Sequence, residues 1–283
     1  MDKSNEEWTL IVKPKSNWLD LHLKDLWHYR DLVMLFVKRD FVSAYKQTIL
    51  GPLWYIIQPI LTAIMYSVIF GTIANIATPL PKFLFYLSSI TMWNYFSESL
   101  NKTSNTFISN AQIFGKVYFP RLTVPLSIII SNLITFSIQL FVFIVVLIYY
   151  HFNKDASIAP NNHLFLLPVL ILIMAGTGLG VGIIISSLTT KYRDLRFLIA
   201  FGVQLLMFAT PVIYPLSSVT GLKRAVILAN PLSSVIETFR YAFTGVGGCH
   251  WHYLAYSFGF MVVVLVIGIL LFNKVEKSFM DTV

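Results

Sequence analysis

Two rows of aromatic and polar side chains are the first candidates for a ligand-binding surface. Members of each row recur every three to four residues within an apolar stretch, so on a helix they share one face. The Tyr55 row is Tyr55, Pro59, Thr62, Tyr66 and Phe70; the Phe197 row is Phe197, Phe201, Gln204, Phe208 and Pro211; and Trp93 is a further candidate. Aromatic rings stack on the C–H faces of sugars and let them slide, because stacking tolerates translation better than directed hydrogen bonds do. The alternative is that the rows pack helices together or face lipid.

Residues for other chemistry are sparse. We find no phosphate-binding G-x-x-x-x-G-K-[ST], no H-E-x-x-H, no G-x-S-x-G and no paired acidic motif for Mg²⁺. Cys249, the only cysteine, lies near His250 and His252, but no fourth ligand is evident, so a polar turn is favoured over a metal site. We therefore expect the chain itself to bind no metal and no cofactor, and to have no catalytic residues.

Composition indicates a membrane protein. The 283 residues are 56% hydrophobic and 12% charged, with mean hydropathy +0.71. A soluble domain would carry about twice that charged fraction. The charges are also segregated, which leaves several runs of about 20 residues nearly free of them. The net charge of +8 therefore indicates basic cytoplasmic loops facing anionic lipid headgroups rather than nucleic-acid binding.

The apolar runs predict an all-α integral membrane protein with six transmembrane helices. The predicted spans are about 53–73, 83–100, 122–150, 164–188, 197–216 and 253–272, within a transmembrane domain at 51–283. With the N-terminus inside, 16 of the 21 basic residues fall in cytoplasmic segments, so both termini are predicted to be cytoplasmic. Glu98 lies near the inner end of the second span and is either a buried functional group or a charge that reaches the interface.

The segment before the first span is predicted to be an amphipathic helix. Residues 1–20 are predicted to form a cytoplasmic tail, and 21–50 an amphipathic helix and a hinge that ends at Gly51-Pro52. Leu23, Val33, Val37 and Phe41 share one face. We interpret the helix as lying at the membrane interface, because a span follows directly; the alternative is a helix packed on a soluble domain.

The link between the fifth and sixth spans predicts two short helices, 222–229 and 232–244, broken at Asn230-Pro231. At 1.5 Å per residue they reach about 12 and 20 Å, too short for a hydrocarbon core of about 30 Å. We interpret them as a re-entrant pair dipping into the outer leaflet, with an ordinary external loop as the alternative. Glu237 and Arg240 are three residues apart and could pair. Gly176, Gly178, Gly180 and Gly182 form two overlapping G-x-x-x-G pairs that permit close helix contact within the fold or between subunits.

An ordered set of motifs resembles one known family. LWHYRDLVMLFVKRDFVSAYKQTILGPLWYIIQP, KVYFPRLTVP, KYRDLR, TPVIYP, NPLSSVIETFRYAFTG and the closing EKSFMD follow one another through nearly the whole chain. In this set and order, the sequence resembles the ABC-2 type permeases that export polysaccharides, the membrane subunits of O-antigen, capsule and teichoic-acid exporters. Members often have Ser where Thr48 stands, a mild departure.

The resemblance implies partners and an arrangement. It implies a homodimer in the cytoplasmic membrane, joined by two copies of an ABC ATPase subunit that carries the ATP and Mg²⁺. It implies a lipid-linked glycan threaded between the two permeases, an interface helix at 21–46, a coupling loop at 102–116 and gate helices at 222–244.

Residue roles follow from that arrangement as expectations. The candidates are, for the channel, Tyr55, Thr62, Tyr66, Phe70, Trp93, Phe197, Phe201, Gln204 and Phe208; for coupling to the ATPase, Ser104, Asn105, Asn110, Gln112 and Lys116; for the interface helix and inner-boundary charges, Arg30, Arg39, Asp40, Arg193 and Asp194; and for the gate, Asn230, Pro231, Glu237 and Arg240. For the charged residues, solvated surface charge is the alternative.

We expect ATP binding to move the coupling loop, to separate the first and fifth spans at the dimer seam and to open the gate. An exporter of a small lipid or drug is one rival function. A membrane enzyme acting on polyprenyl-linked sugars is another, but Glu98, Asp155 and Glu237, the carboxylates outside the cytoplasmic segments, are too scattered to suggest an active site. A non-catalytic scaffold is disfavoured by the ordered rows and the broken helix pair.

Overall fold

The structure, a computed structural model, describes residues 23–46, 48–117, 119–153, 158, 160–192 and 194–279. Within these ranges the regular structure is helical, with no strand. The α-helices are α1 Leu23–His28, α2 Arg30–Tyr45, α3 Trp54–Tyr66, α4 Lys82–Ser104, α5 Thr106–Ser109, α6 Ala111–Phe114, α7 Thr123–Asn153, α8 Leu167–Thr189, α9 Leu195–Phe208, α10 Gly221–Ala229, α11 Pro231–Thr244 and α12 Trp251–Phe279. The prediction of an all-α membrane protein is confirmed.

Four helical stretches among the described residues are long and apolar enough to cross a membrane: Gly51–Ile73, Thr123–Asn153, Asn162–Thr189 and Trp251–Val275. The first joins α3 to a 3₁₀ turn before it and to a π-helical turn, Ser67–Ile73, after it. The third joins α8 to a preceding 3₁₀ turn. Most of the surface of these helices is not buried by the chain itself, so lipid or other protein must cover it.

α4 is the central helix of the bundle. It packs on α8, α7, α3, α11 and α9, and most of its side chains are buried. Its sequence is more polar than that of its neighbours, and several of its small hydroxyl side chains are buried because they donate to backbone carbonyls one turn back. Ser88 and Ser89 bond to the Phe85 carbonyl, and Thr91 bonds to that of Leu87.

The glycines of α8 let it lie between two other helices. Gly176 and Gly180 face Met261, Val264 and Leu265 of α12, whereas Gly178 and Gly182 face Ser99 and Thr103 of α4. Each of the two overlapping glycine pairs thus contacts a different neighbour inside the protomer. Close packing within the fold, one of the two alternatives left open by the sequence, is therefore what these glycines provide.

Replacing Gly180 with alanine is expected to destabilise the protein, because the new Cβ would lie 2.9 Å from the backbone nitrogen of Leu265. Overpacking of this kind costs about 1–3 kcal/mol. Gly259→Ala on α12 is the matched control, since a Cβ there meets nothing within 4 Å. We expect the thermal unfolding midpoint in detergent to fall for Gly180→Ala and to stay or rise for Gly259→Ala. Equal midpoints for the two variants would contradict this packing.

Two predicted helices have different bounds in the structure. The amphipathic helix predicted within 21–50 is interrupted at Tyr29 between α1 and α2. The helix predicted over 197–216 ends at Phe208, because Pro211 has no amide hydrogen and disfavours helical backbone in the residue before it. Residues 1–20, predicted to be a cytoplasmic tail, and Asp155 lie outside the described residues.

Candidate functional site

The Phe197 row lies on the open face of α9. Val203 is the one buried residue of that helix, whereas Phe197 is 75% exposed, Phe201 59% and Phe208 49%. Gln204 is exposed on the same face. Exposing the polar amide of Gln204 to lipid would be unfavourable, whereas a water-filled groove or another subunit could accommodate it. Pro211, the last member, lies beyond the helix and is buried.

The Tyr55 row lies on the inner, half-buried face of α3. Tyr55 stacks on Phe41 of α2 with ring centroids 6.1 Å apart. The ring of Tyr66 contacts that of Tyr86, and its hydroxyl lies 3.6 Å from the sulfur of Met207 on α9. Thr62 is also half-buried, and its hydroxyl donates to the Gln58 carbonyl. The Tyr55 row therefore packs α3 against other helices of the same protomer.

Trp93 is placed away from both rows. Its side chain is 5% exposed in the main core, and its ring packs on that of Phe96. Phe70 is half-buried beside Tyr66, with ring centroids 5.4 Å apart. Of the nine channel candidates, only the four on α9 lie on the open surface of the single chain.

The loop at 102–116 is held in place by two buried phenylalanines. Phe107 stacks on Phe272 of α12 with centroids 4.5 Å apart, and its backbone amide donates to the hydroxyl of Ser186 on α8. Phe114 contacts Phe107 and lies under the guanidinium of Arg121. These rings belong to a second core, the phenylalanine cluster, formed by Phe36, Phe107, Phe114, Phe119, Val124, Ile183 and Phe272. Through this cluster the loop contacts α2, α7, α8 and α12.

The polar candidates of this loop divide into two sets. The Ser104 hydroxyl and the Asn105 amide donate to the Asn101 carbonyl, and the Asn110 amide donates to that of Thr106, so these side chains shape the turns. Gln112 and Lys116 are exposed beside Gly115. Gln112 and Lys116 are therefore the candidates in this loop that another protein could contact.

α2 packs against α7. Val33, Phe36 and Val37 are buried, whereas Met34 and Leu35 are each 59% exposed. The Arg39 guanidinium lies 4.6 Å from the centroid of the Phe36 ring and 2.7 Å from an Asp40 carboxylate oxygen. Arg39 and Asp40 thus form a partly buried pair beside the phenylalanine cluster.

The other inner-boundary charges are less enclosed. Arg30 and Asp31 are exposed, and their charged atoms are 4.0 Å apart, so this pair adds little stability. Asp194 is exposed immediately before α9. Arg193 lies outside the described residues.

Glu98 is paired rather than isolated. Its carboxylate lies 3.1 Å from Lys102 Nζ, and both side chains are 52% exposed. Lys102 also donates to the side-chain oxygen of Asn132 on α7, whose amide donates to Ser99. This polar seam joins α4 to α7, and it favours an ordinary charge pair over a lone functional carboxylate.

The two short helices predicted between the fifth and sixth spans are present as α10 and α11. Asn230, at the break between them, is the N-cap of α11. The side-chain oxygen of Asn230 accepts from the Leu232 amide, and Pro231 occupies the first helical position. Glu237 and Arg240 do pair, with 2.9 Å between Arg240 Nη1 and Glu237 Oε2. The guanidinium of Arg240 also donates to Ser89 of α4 and to the Pro211 carbonyl, and it lies over the Phe85 ring.

Cys249 lies in the turn after α11. Burial raises the pKa of its thiol above the ordinary value, and a Thr238 hydrogen bond opposes that shift. The neutral thiol therefore dominates at pH 7, which disfavours it as a metal ligand or nucleophile.

Sequence reasoning missed several residues of these sites. Ser89 and Phe85 enclose Arg240 from 151 and 155 positions away, and nothing in their local sequence indicates it. Phe107 and Phe114 could have been identified from the sequence, because two phenylalanines seven residues apart in a polar loop indicate a segment anchored to a core.

Comparison with known proteins gives a consistent result. The family model described as ABC-2 type transporter matches residues 31–244. An O-antigen export system permease protein RfbA from Klebsiella pneumoniae is 28% identical over 251 residues, covering 89% of this chain and 94% of the relative. A second from the same organism is 29% identical over the same shares of both chains. A relative of the same name from Myxococcus xanthus is 28% identical over 224 residues, covering 78% of this chain and 83% of its own.

Proposed function

The chain belongs to the ABC-2 type transporter family, and from this premise we propose that it is the transmembrane permease subunit of an ATP-driven polysaccharide exporter. Its substrate would be a lipid-linked polysaccharide of the O-antigen, capsule or teichoic-acid kind, moved across the cytoplasmic membrane. The observation that carries the proposal is the match to O-antigen export permeases along 94% of their length. Similarity over nearly complete chains supports a shared function more strongly than similarity of one segment.

We place six spans in the membrane: the four long apolar helices together with α4 and α9. α4 has 23 residues and so reaches about 35 Å, which is sufficient to cross, and most of its hydroxyl side chains are buried among five neighbouring helices. α9 has 14 residues and reaches about 21 Å, so the irregular segment 209–215 would complete that crossing, covered by protein. The excess of basic residues in the inner segments supports cytoplasmic termini and α2 as an interface helix.

The proposed dimer seam is formed by α3 and α9. α9 buries little against its own protomer, and α3 leaves Leu61, Ile64 and Met65 exposed. Two protomers that meet along these helices would bring two Phe197 rows face to face and enclose a groove lined by rings and an amide. Such a groove suits a glycan that must slide.

Energy would enter from two copies of an ABC ATPase that hold the ATP and Mg²⁺, since the chain lacks a phosphate-binding loop motif. The exposed side of the loop at 102–116 offers a docking surface. The phenylalanine cluster then connects this surface to α2, α7, α8 and α12. A displacement of the loop would therefore be transmitted to several helices at once.

Changing the exposed residues of the loop should uncouple the exporter without unfolding it. For Gln112→Arg with Lys116→Glu, we expect ATP-coupled export to fall at least tenfold, because the altered charges face the partner and not the core. The thermal unfolding midpoint should stay unchanged. Asn162→Glu, an exposed charge change in the 3₁₀ turn before α8, is the matched control. Intact export in the double variant would remove the loop from the coupling path.

The proposal as a whole is tested by purification from native membranes with this chain tagged. A stoichiometric ATPase whose turnover requires the complex is the expected partner. Purification of the chain alone, active on a polyprenyl-linked sugar, would overturn the proposal. Stimulation of the complex by a small amphiphile, with no response to glycan, would reassign its substrate.

A further inference from the structure

The two helices of the α10–α11 pair are enclosed to very different extents. In α11 every residue except Pro231 and Tyr241 is buried, whereas in α10 only Leu228 is buried. α11 packs on α4, α8 and α12, whereas α10 packs mainly on α11 and meets α12 at its last residue, where the Tyr256 hydroxyl donates to the Ala229 carbonyl. The pair therefore does not behave as one unit toward the rest of the protomer.

Arg240 fixes α11 to two other segments. Nη1 donates to Glu237 at 2.9 Å, while Nη2 donates to Ser89 Oγ at 2.6 Å and to the Pro211 carbonyl at 2.8 Å. Its guanidinium carbon lies 3.9 Å from the centroid of the Phe85 ring. One buried cation thus joins α11 to α4 and to the segment after α9. Moving α11 would leave this charge without partners in a place that water does not reach.

The first turn of α11 is fixed as well. The Asn230 amide donates to Thr210 Oγ1 at 2.8 Å and to the Ala209 carbonyl at 3.3 Å, just past the end of α9. On the other side, Ser257 of α12 donates to the Pro231 carbonyl and shares a hydrogen bond of 2.7 Å with Ser234. α11 is therefore held in its first turn by two neighbours and farther along by Arg240.

α10 has freedom that α11 lacks. It begins at Gly221, whose φ of +61° only glycine adopts readily, and it ends at the extended residue Asn230. A cleft of about 360 Å³ separates it from the start of α12, lined by Gly221, Arg224, Ala225, Leu228, His250 and Tyr253. α10 thus begins at a glycine-specific turn and has room beneath it.

We infer that α10 alone is the moving part of the outer gate, and that Arg240 is a positioning residue that holds α11 as the fixed frame. This inference rests on the proposed exporter function and divides the expected gate in two. Glu237 and Arg240 then belong to the frame, while Asn230 is the joint between frame and gate.

Two matched valines test the division by labelling in the assembled complex, in a Cys249→Ser background. Val226 on α10 is 66% exposed and Val235 on α11 is 0% exposed. With a membrane-impermeant maleimide, we expect Val226→Cys to label at rates that differ at least threefold between the nucleotide-free and ATP-bound states. Val235→Cys should stay unlabelled in both. Labelling of Val235→Cys on ATP binding, or a constant rate for Val226→Cys, would overturn the inference.

The role of Arg240 has its own readout. Adding Arg240→Gln to Val235→Cys should raise the labelling rate at least tenfold, and Arg240→Lys should raise it less, because one ammonium keeps the charge but cannot reach all three acceptors. An unchanged rate with Arg240→Gln would remove Arg240 from the frame.

A disulfide test stays informative if Arg240 variants fail to fold. Ser234 and Ser257 hydroxyls are 2.7 Å apart, so Ser234→Cys with Ser257→Cys can form a disulfide that ties α11 to α12. We expect export within twofold of the reduced form. Bridging Ala225→Cys to His250→Cys across the cleft with a thiol cross-linker should instead reduce export at least tenfold. The opposite pattern would make α11 the gate, whereas absence of ATP-driven export from the uncross-linked parent would defeat the proposed function itself.

Discussion

Phe107→Ala is expected to abolish ATP-coupled export and to lower stability by about 3–5 kcal/mol, the usual cost of removing a buried phenylalanine ring. Phe107 is fully buried and stacks on Phe272, with Phe114 against its edge. Removing the ring leaves a cavity where the loop at 102–116 meets α12. The loop would then move without moving the helices behind it.

Two companion variants separate stability from coupling. Phe107→Leu fills most of the volume and should recover most of the stability while giving weaker coupling, measured as glycan exported per ATP hydrolysed. Ser186→Ala removes only the hydroxyl that accepts from the Phe107 amide. We therefore expect the free energy of unfolding to fall by about 1–3 kcal/mol while the ring stack stays intact. If Phe107→Ala exports normally per ATP, the phenylalanine cluster does not transmit the motion.

Phe201→Ala combined with Phe208→Ala is expected to reduce export at least tenfold while leaving assembly and ATPase activity unchanged. Both rings lie on the open face of α9 and support no core of their own protomer. If each ring contributes about 1 kcal/mol of stacking to the moving glycan, their loss corresponds to roughly a factor of thirty. The measurement is glycan transport into sealed vesicles, normalised to ATP turnover.

Leu198→Ala with Leu205→Ala is the matched control, since these aliphatic side chains are 63% and 51% exposed on the same helix but beside the Phe197 row. We expect this control to export within twofold of the parent. Equal loss in both double variants would mean that α9 needs bulk rather than rings. No loss in either would exclude α9 from the glycan path.

The sequence predicted most of the helices because their signals are local. Hydropathy marks α3, α7, α8 and α12, and the Asn230-Pro231 pair marks the break between α10 and α11. Pro211 carries a local signal for the end of α9 as well, but it was counted in the Phe197 row, and the apolar residues around it favoured a longer span. Proline acts on its neighbours through sterics and a missing donor, so its effect can be read without tertiary information.

Which face of each helix lies inside the protomer was much less predictable. In a membrane both the core and the lipid are apolar, so periodicity does not separate them as it does in a soluble protein. The two aromatic rows therefore looked equivalent, yet the Tyr55 row is half-buried and the Phe197 row is open. Trp93 shows the same problem, since nothing nearby indicates a position in the main core.

Long-range polar contacts were also beyond sequence reasoning. The spacing of Glu237 and Arg240 predicted their pairing on one helix turn, and the pair is present. The remaining partners of Arg240 come from α4 and the segment after α9, which only the fold brings together. Similarly, Lys102 meets Asn132 because α4 and α7 pack side by side.

The proposal that this chain moves a lipid-linked polysaccharide across the cytoplasmic membrane can be tested by deleting the chain and locating the glycan. We expect the lipid-linked polymer to accumulate on the cytoplasmic side and to disappear from the outer side, with total synthesis retained. Re-expression of the chain with its ATPase should return the polymer to the outer side. Polymer that reaches the outer side at normal levels without the chain, or that is no longer synthesised at all, would contradict the claim.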